Sequence, residues 1–219
     1  MPDNDSLKQR IHAGEVVVGV SAPLDSDKSG LEAILSKDTY SFLTIDSQHS
    51  PYNEEKLVAF CATAQDLGMP VQFRIKNTRH DYLIGNILDL GPMAIEVPLV
   101  EDEGIVDEAL STFYYPQVGH RSWSGAARHG IGGRDNRLEY ADWWNNHGVL
   151  CLQMETLAAV TNARHLAKPG IDCLTWGPAD LAFPEFPIPD DAPLPEEPPR
   201  GEEQAPGAPL RTSGSGSCL

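Results

Sequence analysis

Basic residues are scarce in this chain. Sixteen lysines and arginines stand against 32 aspartates and glutamates, for a net charge of −16. A surface so acidic repels phosphate backbones and anionic lipid, so nucleic-acid and acidic-membrane partners are excluded as expectations. Long apolar runs are also missing. No stretch approaches 18 apolar residues, and no basic segment followed by an apolar one opens the chain, so neither a membrane span nor a secretory leader is expected. Cysteine is sparse. Cys61, Cys151, Cys173 and Cys218 form no CxxC pair, and three of them sit inside apolar stretches. Buried, reduced thiols in a cytoplasmic protein are the expectation. No glycine fingerprint of the dinucleotide-binding type appears, and no GK[ST] phosphate loop, so a nucleotide cradle is not predicted.

What is present is a core-forming composition, 41% apolar over 219 residues, enough for one sizeable domain or two small ones. The chain changes character near residue 183. From residue 184 onward it holds nine of the 18 prolines, seven acids and two arginines. Such a stretch buries too little apolar surface to offset its ordering entropy, and it is predicted to be a disordered tail, residues 184–219.

Residues 1–183 alternate strand and helix patterns. A short helix over residues 6–12 precedes strand one at 15–22 and a helix at 30–36. Strand two at 40–46 is followed by an amphipathic helix at 53–68. Strand three at 70–76 leads to a helix at 81–90, and strand four at 92–100 to a helix at 101–113. A long irregular segment, YYPQVGHRSWSGAARHGIGG, precedes a helix at 137–147, strand five at 148–155, a helix at 157–167 and strand six at 171–177. Strands alternating with helices predict βαβ units and a parallel sheet. Six units without a dinucleotide fingerprint favour a (β/α) barrel over a doubly wound sheet.

In such folds chemistry gathers at the C-terminal ends of the strands. There the sequence places Asp46 and His49, Arg74, Gln153 and Glu155, and the GPAD stretch Gly177, Pro178, Ala179 and Asp180. Glu155 and Asp180 taken singly read as helix caps. On neighbouring strands they bring two carboxylates together, and a divalent cation relieves their repulsion. Oxygen ligands without His or Cys favour Mg²⁺ or Mn²⁺. Arg74, between Phe73 and Ile75, needs an anion: either Asp46 or Glu155 in a salt bridge, or a substrate carboxylate gripped by its fork. His49 is either a merely exposed loop residue or a general base. Asp89 ends a helix against the dipole, as a residue held for a distant partner such as the imidazole would. His120 and Arg121 lie in the long segment, read as a lid or a flexible excursion. Trp143 and Trp144 read as packing residues.

These stretches in this order (IDSQHSPY, VQFRIK, ILDLGPMAIEVPLV, YYPQVGHRS, CLQMETLAAVTNA and GIDCLTWGPADLAF) resemble the HpcH/HpaI aldolase family over about residues 12–183, with some likeness to its macrophomate synthase-like fungal branch. The resemblance implies a (β/α)₈ TIM barrel, here cut to about six units. It implies a class II pyruvate aldolase using Mg²⁺, Mn²⁺ or Co²⁺, small 2-oxo acid and aldehyde substrates, and a homo-oligomer. It makes Glu155 and Asp180 the metal ligands, and Arg74 and Gln153 the groups that position the keto acid. His49 with Asp89 becomes a proton-transfer dyad supported by Asp46, and the amides around Gly177, Pro178, Ala179 and Asp180 become the cradle for the substrate carboxylate. Lys76 is the one lysine near the rim, so a Schiff-base route is disfavoured. Three departures stand out. Gln48 replaces the family's usual Glu, GHRS replaces a Gly-x-Arg-Gly turn, and units seven and eight are absent, with the helix through which subunits pair. A shortened gene product or a degenerate paralogue is the corresponding expectation. Three functions therefore compete: pyruvate aldolase, oxaloacetate decarboxylase of the macrophomate synthase type, and a non-catalytic remnant.

Overall fold

A computed structural model describes residues 6–134 and 136–182. Six parallel strands form one sheet in the order β1 to β6, each hydrogen-bonded to the next in sequence. They are β1 (Gly19–Ser21), β2 (Phe42–Asp46), β3 (Val71–Arg74), β4 (Ala94–Val97), β5 (Val149–Met154) and β6 (Cys173–Trp176). The helices are α1 (Leu7–His12), α2 (Lys28–Leu35), α3 (Glu54–Asp66), α4 (Ile84–Leu88), α5 (Glu103–Phe113), α6 (Arg137–His147), α7 (Leu157–Leu166) and α8 (Pro178–Leu181). The expected α/β architecture with consecutive parallel strands is present. Among the described residues the sheet is open, with β1 and β6 at its edges. The stretch read as a disordered tail, and Cys218 within it, lie outside the described residues.

The helices start where the sequence supplies caps. The Asn53 side chain accepts the Lys56 amide at 3.0 Å to open α3, Asp102 accepts the Ile105 amide at 3.1 Å to open α5, and Thr156 accepts the Ala159 amide at 3.2 Å to open α7. Each such cap contributes about 1 kcal/mol. Glycine ends α3: Gly68 takes φ +72°, a conformation that L side chains resist.

Period-two alternation divides the strands into two faces. Leu43, Ile45, Phe73, Ile95, Val97, Leu150 and Leu152 belong to the main core, which includes the helix residues Leu57, Phe60, Val106 and Trp144. On the other face, Val17, Ala94, Val149, Cys151 and Cys173 form a second cluster with Leu7 of α1, against which Ile11 and Phe42 pack. Lys8 ties α1 down by donating to the Tyr114 hydroxyl at 2.9 Å, the Gly148 carbonyl at 3.0 Å and Asp172 at 3.2 Å. This second cluster fills the concave face near the start of the strands. One step further along each strand, the same face turns polar. Cys61, Cys151 and Cys173 are buried thiols, not disulfides.

Four details differ from the sequence reading. Strand one is only three residues long, because Val16 and Val18 are exposed, at 78% and 46%, and only 19–21 pair with β2. The helix expected at 81–90 is a 3-10 turn over Thr78–Leu83 running into α4, with Asp89 as its C-cap. The GPAD stretch, given no element in the sequence reading, opens the short helix α8, with Gly177 as its N-cap. The long segment 114–134 is not a loose lid. Its Arg121 and Arg128 are buried, stacked on aromatic rings: Arg121 lies 4.7 Å from the Tyr115 ring and 4.5 Å from Trp144, and Arg128 lies 3.8 Å from Trp123. Trp144 packs as expected, its indole N–H donating to the Phe113 carbonyl at 3.1 Å.

Candidate active site

The polar end of the concave face is built by strand register. Asp46 of β2 lies beside Arg74 of β3, which lies beside Glu96 of β4. Arg74 grips Asp46 with two N–H groups, one at 2.9 Å, and donates a third to the Gln153 side-chain oxygen at 3.1 Å. A guanidinium has five N–H donors, so two are left for a ligand. The salt bridge to Asp46 and a role toward substrate are therefore compatible. Burial alone pushes the Asp46 carboxyl upward. The hydrogen bonds and charge of Arg74 outweigh that, with the Gln48 amide and the nearby His49 assisting, and hold it below its ordinary value.

Glu155 follows β5 and is 2% exposed. One oxygen accepts the Leu99 amide at 2.8 Å, and the other meets no hydrogen-bond donor among the described residues. Its neighbour is another acid, Asp180, in the first turn of α8. Burial pushes the Glu155 carboxyl up to about 7, and Asp180 adds to the rise, although the Leu99 amide and the charge of Arg74 oppose it. A Cβ on Gly177 would stand 2.4 Å from Glu155 Cγ and 2.8 Å from its free oxygen, so only glycine lets α8 approach this closely. The backbone thus brings two carboxylates together and gives one oxygen no donor.

An unpartnered, buried carboxylate oxygen facing a second acid suits a divalent cation with hard-ligand preference. Among the described residues no group of three or more His, Cys, Asp and Glu could hold a metal. Two carboxylates would leave most positions of such an ion to water and substrate, and Glu155 and Asp180 are the residues that would hold it.

The remaining expected residues are partly assembled. His49 is exposed and near Asp46, whose carboxylate also accepts the Gln48 amide at 2.9 Å and so shapes the loop. Gln48, standing where an acid was expected, has a buried oxygen without a donor. Asp89 has a partner of its own in this chain. Its carboxylate pairs with the buried Arg121 at 2.8 Å, and among the described residues no hydrogen bond joins it to the imidazole. Of the expected carboxylate cradle, the Gly177 amide already donates to the Met154 carbonyl at 3.0 Å and Pro178 has no N–H, which leaves Ala179 and Asp180. Lys76 lies over the Tyr52 ring, 5.5 Å from its centroid.

Two residues of this surface escaped the sequence reading. Glu96 accepts a hydrogen bond from the Thr175 hydroxyl of β6 at 2.7 Å, across β5, and its charge acts on Arg74. The available signal was an acid inside the apolar strand MAIEVP, in the alternation position that matches Arg74.

The chain is similar to known proteins over most of its length. The family model for HpcH/HpaI aldolase/citrate lyase matches residues 25–184. A 2-keto-3-deoxy-L-rhamnonate aldolase of Klebsiella pneumoniae is 30% identical over 197 residues, spanning 88% of this chain and 71% of that protein. A 4-hydroxy-2-oxovalerate aldolase of Novosphingobium aromaticivorans is 31% identical over 183 residues, spanning 83% and 68%. Among solved structures, an HpcH/HpaI aldolase from Desulfitobacterium hafniense shares the fold with a TM-score of 0.70 at 24% identity, over 80% of this chain and 67% of that one. Macrophomate synthase shares it at 0.65 and 24%, over 80% and 62%. No helix among the described residues is long and apolar enough to cross a membrane. With the family model covering most of its length, the chain belongs to the HpcH/HpaI aldolase/citrate lyase family.

Proposed function

We propose that the chain is a class II pyruvate aldolase that cleaves 4-hydroxy-2-oxo acids to pyruvate and an aldehyde, or runs the reverse addition, with Mg²⁺ or Mn²⁺ (or Co²⁺) held by Glu155 and Asp180. Carbon–carbon lyase chemistry follows from the family itself. The observation that carries the metal assignment is the donorless oxygen of buried Glu155 beside Asp180.

A divalent ion there supplies a Lewis acid for the keto oxygen of a 2-oxo acid. Arg74 contributes a second positive charge where negative charge develops on that oxygen, using the N–H groups that Asp46 and Gln153 leave free. Asp46 and Gln153 fix the guanidinium plane, so little reorganisation accompanies reaction. The Ala179 and Asp180 amides hold the substrate carboxylate, and His49, directly or through water, exchanges the C3 proton of pyruvate. The acidic surface and buried thiols support a cytoplasmic setting without nucleic-acid or membrane partners; the homo-oligomer implied by the family resemblance belongs to the same proposal.

A second reading has its own support. Asp89 is committed to Arg121, and no hydrogen bond joins it to His49 among the described residues. Oxaloacetate would yield the enolate of pyruvate by losing CO₂, with no base required to remove a C3 proton. Proton exchange at pyruvate C3 in deuterated buffer, followed by NMR, tests the aldolase reading. Exchange that requires Mn²⁺ and disappears in Glu155→Gln supports it. Release of CO₂ from oxaloacetate above the free-metal background, without pyruvate exchange, favours decarboxylation. Neither activity would leave the chain a non-catalytic interaction protein.

A further inference from the structure

A cleft of about 380 Å³ opens at the end of the sheet opposite the candidate active site. Tyr40 and Ser41, just before β2, line it, and so does Met93, just before β4. The strands themselves separate it from the rim of Asp46 and Arg74: at about 3.3 Å per residue, β2 spans about 15 Å. Helix α1 contributes Leu7 and Arg10 to the lining, and segment 114–134 contributes His129.

The lining departs from the rest of the chain in its charge. The chain carries −16, yet among the described residues no Asp or Glu lines this cleft. Arg10 is half-buried there. Its Nε donates to Glu15 at 3.0 Å, outside the lining, and its terminal nitrogens have no acceptor among the described residues. A guanidinium held by one edge keeps the other for an anion. The Tyr40 and Ser41 hydroxyls make no hydrogen bond among the described residues. Gln65, whose side-chain oxygen accepts the Gly130 amide at 3.4 Å, keeps its NH₂ group as a further donor.

His129 decides what accompanies the anion. Its ring stacks on Trp143, with centroids 6.3 Å and planes 14° apart, and its nitrogens make no hydrogen bond among the described residues. Burial, with the charges of Arg134 and His147, pushes its pKa down to about 4. The ring is therefore neutral near pH 7 and offers one donor and one acceptor. A hydroxyl group answers both, whereas a carbonyl or a second carboxylate answers only the donor. Leu7 and Met93 supply apolar surface for a short carbon chain.

We infer that this cleft binds a small hydroxy monocarboxylate, with its carboxylate on Arg10 and its hydroxyl on His129, assisted by Tyr40 and Ser41. The site needs no metal and does not depend on the aldolase reading.

The test titrates the full chain with lactate in EDTA, read by ligand-observed NMR. Lactamide, which lacks the charge, and propionate, which lacks the hydroxyl, run beside it. One charge-assisted contact is worth about tenfold in affinity and a neutral hydrogen bond about threefold. The expected result is saturable lactate binding that exceeds lactamide and propionate by those factors. Arg10→Gln should bring lactate level with lactamide, whereas Arg74→Lys, at the opposite end of the sheet, should leave it unchanged. Tyr40→Phe, which keeps the ring in place, should weaken lactate by about threefold and decides the matter if Arg10→Gln does not fold. Absence of saturable lactate binding would overturn the site. So would equal binding of lactamide or propionate, lactate binding that survives both cleft variants, or its loss in Arg74→Lys.

Discussion

Leu99 offers its backbone amide to Glu155 at 2.8 Å from a left-handed conformation, φ 52°, that a branched side chain adopts only against steric resistance. The amide is the one backbone donor to Glu155 among the described residues, and the same residue forms a wall of a neighbouring cleft. Strain placed beside the candidate metal pair suggests that the direction of this N–H matters more than the side chain.

Leu99→Gly should therefore be tolerated and should raise stability by up to about 1 kcal/mol, since glycine lifts the left-handed penalty of about 1–2 kcal/mol at some entropic cost in the unfolded chain. Leu99→Asn keeps the donor in a residue that tolerates the left-handed conformation and should leave Mn²⁺ binding unchanged. Urea denaturation of the first variant and metal titration of the second check the pair. A less stable Leu99→Gly protein would show that the side chain, 37% exposed, contributes more than its conformation costs.

Asp89 separates two roles. If its main partner is Arg121, Asp89→Asn leaves a buried guanidinium without its counter-ion. Arg121 is 3% exposed and has two further nitrogens without acceptors, so the loss is expected to reach about 2–4 kcal/mol. Pyruvate exchange by the protein that remains folded should change by less than about threefold. A stable Asp89→Asn variant with exchange abolished would restore the histidine dyad implied by the family resemblance.

Asp81 governs a dependence of stability on pH. It is 2% exposed, one of its oxygens has no donor, and burial with help from Glu108 pushes its carboxyl from 3.8 up to about 8. A carboxyl whose folded value lies above its unfolded value keeps its proton on folding. Its contribution is complete below about pH 4 and is lost as pH rises through about 8. Asp81→Asn should flatten this slope and gain about 1–3 kcal/mol at pH 9 relative to wild type, with little change at pH 4. Urea melts at the two pH values measure it.

Arg74→Lys should keep a positive charge yet lose the two-point grip on Asp46 and the bond to Gln153. Manganese binding should persist while exchange falls by about a hundredfold or more, read by titration and by NMR on the same preparation.

Much of this was legible in the sequence, for physical reasons. Consecutive parallel strands make the strand ends neighbours, so Asp46, Arg74, Gln153 and Glu155 could be placed on one rim from alternation alone. The Glu155–Asp180 encounter follows from the same geometry. Glu96 and Thr175 were missed because an isolated polar residue in an apolar strand shows its partner only when the register across β5 is known. Strand one was drawn too long because Val16, Val17 and Val18 fit a strand pattern, and only pairing to β2 decides where it starts. The Asp89–Arg121 pair was not legible. It depends on segment 114–134 laying guanidinium groups on Tyr115, Trp123 and Trp144, a tertiary arrangement with no local periodicity.

Calorimetric titration of Mn²⁺ into the wild type, Glu155→Gln and Asp180→Asn tests the cation assignment most directly. One site in the wild type, weakened by about a hundredfold or more in each variant while both remain folded by circular dichroism, is the predicted result. Manganese binding of equal strength in all three would contradict it.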